Sequence, residues 1–265
     1  MTKGSRRCGF KSMAKSMESS EYNTKHYTSL FDGRTADEYY TSMRVKIRKV
    51  LRMFGRMEGK RILDIGCGDG FITARLGEST GARMFGIDIS REALKDARKK
   101  GIDARFANLD RDRLPFADKY FDAVFCGDVV EHVFDTERLL AEVRRVLKAD
   151  GFIVMSVPNI AAWYNRIIML FGFIPVWVES ASSHYVGNPF LDSGMGHVKA
   201  FTKRSALQLL ALCGFRKVEV AGSPVRGYGR WNRAVEGFWN RSDGFFSMFP
   251  SLSSLIIIKA VKARR

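Results

Sequence analysis

Residues 63–70 read Leu-Asp-Ile-Gly-Cys-Gly-Asp-Gly, a run whose residue types can hold a charged small molecule. Arg61-Ile62-Leu63-Asp64-Ile65 predicts a short buried parallel strand. Gly66, Gly68 and Gly70 then predict a tight turn with no Cβ in a ligand's way. Helical spacing from Phe71 onward aims a helix N-terminus at whatever lies above that turn. A dinucleotide fingerprint would place its third small residue at position 71, which is Phe71. The acidic Asp64 at the strand end is awkward beside a pyrophosphate but suits a ligand carrying ammonium and sulfonium groups. The ligand implied is S-adenosylmethionine.

A second acid, Asp88, ends the next predicted strand, where one carboxylate can accept from both hydroxyls of a ribose. Further along, Gly-Asp-Val-Val-Glu-His-Val (127–133) sets Asp128, Glu131 and His132 at the lip of another strand. Methyl transfer asks the protein mainly to align nucleophile, methyl and sulfur, with a base where the nucleophile carries a proton. His132 and Glu131 are therefore the catalytic candidates, His132 as the base for a hydroxyl. The alternative is that Asp128, Glu131, His132 and the distant His197 surround a divalent metal, and the third reading is a purely structural role; no metal site is assigned from sequence.

In order along the chain stand RILDIGCGDG (61–70), MFGIDIS (84–90), FANLDRDRLPF (106–116), YFDAVFCGDVVEHV (120–133) and LLAEVRRVLKADGFIVMSVPN (139–159). These segments resemble five motifs of the class I S-adenosylmethionine-dependent methyltransferases, the broad group that includes the ubiquinone-pathway O-methyltransferases. The likeness runs from about Arg61 to about Val220. It implies a Rossmann-like α/β fold: a seven-stranded, mostly parallel sheet, its last strand antiparallel, with helices on both faces. It also implies that the backbone of Gly66, Cys67 and Gly68 passes beneath the methionine part of the cofactor. Asp64 would reach the cofactor's amino group, and Asp88 its ribose. Ile89 would lie against the adenine, Asn108 and Leu109 at the adenine amine, with Gly127 and Asp128 closing the pocket. Where some relatives hold Mg²⁺ or a similar ion with E-x-x-E-H, this chain has Asp128 in place of the first Glu.

The elements that must position these residues alternate between β and α. Apolar residues at helical spacing (Tyr39, Tyr40, Met43, Ile47, Val50, Leu51, Phe54) predict a helix over 38–57 that precedes the core and caps the cofactor. Strands are predicted at 61–65, 83–88, 104–108, 121–126, 152–157, 216–221 and 254–261. Helices are predicted at 71–79, after Ser90, at 136–148 behind Asp135 or Thr136, and at 203–212 between Thr202 and Gly214. Two helical additions are predicted, near 160–200 and 223–252. The first holds AAWYNRIIMLFGFIPVWV, too interrupted by Asn165, Arg166, Gly172 and Pro175 to span a bilayer. It reads as a packed excursion, an interfacial helix or a lid over an apolar substrate. The second mixes Tyr228, Trp231, Phe238, Trp239, Phe245, Phe246 and Phe249 with Arg226, Arg230, Arg233 and Arg241.

At 265 residues the chain suits one α/β domain with additions. The division expected is a basic, flexible segment at 1–37 and a methyltransferase domain at 38–265, its cofactor half at 60–159. The formal charge of +16 sits at the two ends, about +8 before Arg61 and about +10 after His197. That asymmetry points to an anionic partner or to a merely basic surface. Cys8, Cys67, Cys126 and Cys213 form no C-x-x-C pair, which argues for a reducing compartment, and the first twenty residues hold no apolar run of a signal peptide. The expectation is a cytoplasmic enzyme, with a peripheral membrane contact, acting on an oxygen of a hydrophobic, lipid-linked or glycosyl small molecule. An RNA 2′-O-methyltransferase and a non-catalytic cofactor-binding regulator are the alternatives. No [DN]-P-P-[YF] signature or Pro-Cys nucleophile favours nucleic acid.

Overall fold

The computed structural model describes residues 36–181, 186–188, 196–225 and 233–263, with side chains from residue 43 onward in the first helix and from 235 onward in the last. The segment 1–35, the side chains of Tyr39, Tyr40 and Arg233, and Arg226, Tyr228, Arg230 and Trp231 lie outside the described residues. Elements run α1 (Ala36–Phe54), β1 (Arg61–Ile65), α2 (Phe71–Thr80), β2 (Arg83–Asp88), α3 (Arg91–Lys99), β3 (Asp103–Phe106) and β4 (Phe121–Gly127). After a 3₁₀ turn at Val130–His132 come α4 (Thr136–Val146), β5 (Leu147–Pro158), α5 (Trp163–Leu170), α6 (Lys203–Leu212), β6 (Phe215–Ser223), α7 (Arg233–Phe246) and β7 (Leu255–Lys262).

The seven strands form one sheet in the order β3-β2-β1-β4-β5-β7-β6. The pairings from β3 to β5 are parallel, and β7 runs antiparallel to both β5 and β6. This is the Rossmann-like arrangement expected. Side chains alternate across a strand, so the sheet has two apolar faces to cover. One face presents Leu63, Phe85, Val124, Ile153 and Ile258 to Leu140 and Val143 of α4 and Leu210 of α6. The other presents Ile62, Met84, Phe125, Val154 and Ile257 to α1, α2 and α3 through Val50, Phe54, Leu76 and Leu94. Each fully buried aliphatic or aromatic side chain contributes about 1.5–3 kcal/mol. A third cluster, Ala162, Tyr164, Val176, Trp177, Val225 and Leu255, anchors the two additions.

Local chemistry sets most boundaries. Ser90 accepts from Ala93 N–H, Asp135 from Arg138 N–H, and Thr202 forms a reciprocal capping box with Ser205. Three of the boundaries that differ from the sequence reading have a clear local cause. Helix α1 stops at Phe54 rather than 57, because Gly55 takes a left-handed φ of 65° and ends it. Helix α4 stops at Val146, since Leu147 is fully buried and pairs with Phe121 as the first residue of β5. Strand β3 ends at Phe106, two residues early, as Asn108 turns its side-chain oxygen to the Asp110 N–H at 3.0 Å.

Gly70 precedes α2 with φ of 79°, and a Cβ there would stand 2.5 Å from Ile102 Cδ1 and 2.9 Å from Ala97 Cα. Its role is thus close packing of the turn on α3 as well as conformational freedom. Gly70→Ala should lower the unfolding free energy by about 2–4 kcal/mol, combining left-handed strain and overpacking. A urea titration showing an unchanged midpoint would refute this.

Candidate active site

The parallel strands end along one edge of the sheet, the usual ligand edge of open α/β folds. The turn after β1 is tied to the end of β2, with Gly66 N–H and Cys67 N–H both donating to Ile87 O at 2.8 and 3.0 Å. Gly66 (φ 74°) has no room for a side chain, because a Cβ would meet Val129 Cγ2 at 2.5 Å. Cys67 turns its thiol toward Gly86, where a Cβ on that glycine would stand 2.6 Å from Sγ. What Cys67 offers a ligand is therefore backbone.

Asp88 is buried, and its two oxygens are held separately: Oδ2 accepts from Gly68 N–H (2.9 Å) and Oδ1 from Ser90 N–H (2.7 Å). Burial raises its pKa, and the backbone hydrogen bonds oppose that rise. Asp64 is buried as well, accepting from Thr73 Oγ1 at 2.6 Å. Burial, reinforced by the charge of Asp88 and opposed by the Thr73 hydrogen bond and by Lys46, pushes its carboxyl up to about 7. Ile89 and Leu109 are half-buried beside these groups in sequence. Asn108 is buried, with its N–H on Asp112 Oδ2 and its side-chain oxygen in the Asp110 turn.

At the end of β4, Asp128 takes a left-handed φ of 54° and its N–H donates to Ser156 O at 3.0 Å. Its carboxylate accepts from Ser156 Oγ (2.7 Å) and pairs with Lys46 of α1, itself only 3% exposed. Burial pushes the Asp128 carboxyl up, but the Lys46 ammonium and the two hydrogen bonds outweigh it and hold it below the usual carboxylate range. Among the described residues, Glu131, His132 and His197 each bring a ligand atom within 4.8 Å of the others, and Asp128 is not part of that group. The four-residue cluster read from sequence is thus three residues, with Asp128 committed to Lys46.

Glu131 is 1% exposed, and among the described residues neither of its carboxylate oxygens has a hydrogen-bond partner. Burial, with the charge of Asp128 beside it, drives its pKa well above the ordinary value. The His132 Nδ1 lies 3.0 Å from Gly196 O, and its ring is 4.8 Å from that of His197. The 196–199 loop is drawn in by the Glu131 carbonyl, which accepts from Val198 N–H and Lys199 N–H at 2.8 and 2.9 Å. That is how a histidine 65 positions beyond His132 arrives at the site.

Residues 63–155 match the sequence profile of a methyltransferase domain. A demethylmenaquinone methyltransferase of Thermotoga maritima is 30% identical over 198 residues, 70% of this chain and 82% of that protein. The chain belongs to the class I S-adenosylmethionine-dependent methyltransferases. A ubiquinone biosynthesis O-methyltransferase of Alkalilimnicola ehrlichii is 32% identical over 120 residues, 43% of this chain, and the match spans about half (48%) of that relative. A solved S-adenosylmethionine-dependent methyltransferase of Thermotoga maritima shares the fold, with a TM-score of 0.61 at 17% identity over 93% of this chain and 99% of that one.

The site of this methyltransferase fits the family's cofactor. Asp88 uses one lone pair on each oxygen for backbone, which leaves acceptor capacity on both for a pair of hydroxyls. Asp64 is a buried acid whose ionised form lacks a full counter-charge, the environment a cationic ammonium would relieve. Sequence reading missed Lys46. The available signal is its place on the inward stripe of α1, since Lys46, Val50 and Met53 follow one another at helical spacing and all are buried.

Two outcomes follow. Asp64 has a folded pKa near 7 against 3.8 for the free group, so its stabilisation is complete below 3.8 and is lost as pH rises through 7. Wild type should lose up to about 4 kcal/mol through that window from this group, and Asp64→Asn should show a correspondingly flatter pH–stability curve in urea titrations at pH 4.5 to 8. Parallel curves would contradict the assignment. Separately, Lys46→Met leaves the half-buried Asp128 without its cation, and should lower the unfolding free energy by about 1–3 kcal/mol; an unaltered denaturation midpoint would show that the pair carries no weight.

Proposed function

We propose that this methyltransferase moves a methyl group to an oxygen of a small hydrophobic acceptor. The observation that carries the proposal is the placing of the Glu131–His132–His197 group on the same strand edge as Asp64 and Asp88. S-adenosylmethionine, when bound, supplies a methyl group on a sulfonium, already a good leaving group. Asp88 holds the ribose, Asp64 the amino group, and the backbone of Gly66, Cys67 and Gly68 bounds the methionine part. Ile89, Asn108 and Leu109 border the adenine, and Gly127 and Asp128 close the pocket.

His132 removes the acceptor's proton. A carbonyl can only accept, so the Nδ1 facing Gly196 O carries hydrogen and the basic lone pair lies on Nε2. The acceptor class is supported by two relatives whose names place them in ubiquinone biosynthesis and on demethylmenaquinone. Trp177 of the 160–200 addition lies against the His197 ring, with centroids 5.7 Å apart, so an apolar aromatic side chain stands beside the site. Among the described residues no helix is long and apolar enough to cross a membrane.

A second reading has one specific observation behind it. A buried carboxylate with neither oxygen hydrogen-bonded is destabilising by several kcal/mol in the ionised form, and a bound dication would offset that. Glu131, His132 and His197 would be the ligands. One carboxylate and two imidazoles suit a transition-metal dication better than Mg²⁺. The Gly196 carbonyl would then orient the His132 ring from behind, as such partners commonly do.

Calorimetric titration with S-adenosylhomocysteine, repeated after chelation and with Zn²⁺, Mn²⁺ or Mg²⁺ added, tests both readings. Wild type should bind at micromolar levels, and Asp88→Ala should weaken binding at least ~30-fold through loss of two charge-assisted hydrogen bonds. No binding by the wild-type protein would sink the cofactor assignment. Metal binding by wild type that Glu131→Gln abolishes would favour the second reading over unaided base catalysis by His132.

A further inference from the structure

Apolar side chains on the surface of this protein are not scattered. Of sixteen large hydrophobic residues exposed among the described ones, ten fall in two short stretches, five within 167–173 and five within 235–249. Leu170 is 84% exposed, Phe171 74% and Phe238 71%, with Phe245, Met248 and Phe249 all above half. Single exposed hydrophobics need no explanation, but such a concentration marks a docking surface.

The two stretches belong to one body. Trp163 at the start of α5 stacks on Phe246 at the end of α7, with ring centroids 5.0 Å apart, and Trp239 packs on Tyr164 at 4.9 Å. Trp163 Nε1 also donates to the buried Asp243 of α7 at 3.1 Å. Along α7 the inward residues Trp239, Asp243 and Phe246 follow helical spacing, and the exposed Phe238 and Phe245, seven residues apart, share the flank beside them. Each helix therefore satisfies its core face and still carries a second, solvent-exposed apolar flank.

We propose that this double flank seats on the surface of an anionic lipid bilayer. Charge selects that occupant. The chain carries a formal +16, concentrated outside the catalytic middle, so a second copy brought to this face meets strong like-charge repulsion while an anionic surface is attracted. Within 163–173 the single charged residue is the exposed Arg166. In the second stretch the exposed Arg241 lies between Phe238 and Phe245 and the exposed Glu236 precedes them, so the attraction to an anionic surface comes from the chain's overall excess of positive charge. Aromatic and aliphatic side chains interleaved with arginine form the composition of helices that lie in a membrane interface. Neither helix is long enough to span one.

The location gives the surface a purpose, which rests on the hydrophobic acceptor proposed above. Helix α5 begins five residues after Pro158, where β5 ends, and Leu255, which opens β7 soon after α7, pairs with Pro158. Both apolar helices thus hang from the strand edge that holds Asp64, Asp88 and Asp128. A lipid-dissolved acceptor would enter the site from the side the protein rests on.

Co-sedimentation of the full chain with vesicles separates the outcomes. Vesicles of phosphatidylcholine containing phosphatidylglycerol should carry down the protein, far more than phosphatidylcholine alone, with binding that weakens as salt rises. The double variants Leu170→Ser/Phe171→Ser and Phe238→Ser/Phe245→Ser should each lower the partition coefficient about tenfold or more while leaving S-adenosylhomocysteine affinity unchanged. No sedimentation with anionic vesicles, or equal binding by the variants, would overturn the proposal. So would a dimer in sedimentation velocity that the same substitutions dissolve, since the face would then belong to a second copy. Vesicle binding by a protein that fails to bind S-adenosylhomocysteine would leave the surface standing and remove only the methyl-transfer reading.

Discussion

Four carboxylates are gathered in or just beyond the carboxyl ends of β1, β2 and β4, and among the described residues one buried ammonium, that of Lys46, lies with them. Taking an ionised carboxylate out of water is costly, and each of the four meets that cost differently. Asp88 is solvated by backbone, one N–H on each oxygen. Asp128 has Lys46 and Ser156. Among the described residues, Asp64 has the Thr73 hydroxyl alone, and Glu131 has no hydrogen-bond partner for its oxygens. The edge is left with a deficit of positive charge, and its two least-satisfied acids define where cations belong. One lies beneath the glycine turn and the other lies against two imidazoles. A ligand carrying ammonium and sulfonium groups answers the first, and a proton or a metal ion answers the second.

The rest of the fold serves that edge. A mostly parallel sheet covered on both faces brings the strand ends together without committing their side chains to the core. The glycine turn lies close against β2 because Gly66, Gly70 and Gly86 leave no room between loop, Val129, α3 and Cys67. Helix α1 lies outside the residues that match the methyltransferase profile, yet it supplies the cation that keeps Asp128 ionised. Lys49, on the next turn, donates to Gly222 O at 2.6 Å, and Lys259 of β7 reaches Met53 O at 2.6 Å. The cap is thus clamped by lysines at several points, and its docking and the charge state of the site are one equilibrium.

What sequence could and could not reveal follows from the range of each interaction. The strands, the caps at Ser90, Asp135 and Thr202, and the glycine turn were legible because each depends on neighbours within a few residues. The seven-stranded topology came through resemblance, since periodicity does not order strands. Lys46, on its apolar stripe, is a weak signal, because a lysine there ordinarily marks a helix boundary or a snorkelling side chain. Its partner is 82 residues away. The same pairing bears on the alternative in which Asp128 joins a metal cluster. D-x-x-E-H spacing describes which residues are near the lip of β4, and only the tertiary structure shows that one of them is already engaged. The 160–200 and 223–252 additions were recognised as apolar and aromatic, but the division of their side chains into core and surface required the α5–α7 contact.

That division bears on how acceptor specificity arises in this family architecture. The cofactor edge is built from strand ends and a turn, elements held in place by the sheet's backbone hydrogen bonds. The acceptor side is built from α5, α7 and the connections around them, anchored by Trp163, Tyr164, Trp239 and Asp243 rather than by the sheet. Asp243 is fully buried there, accepting from Trp163 Nε1, Ser254 Oγ and Val225 N–H, so one carboxylate locks α5, α7 and the strand ends together. Changes in the outward residues of these helices leave that lock untouched. A fold organised in this way can alter the surface through which an acceptor arrives while preserving the charge arrangement that holds the methyl donor, because the two are supported by different contacts.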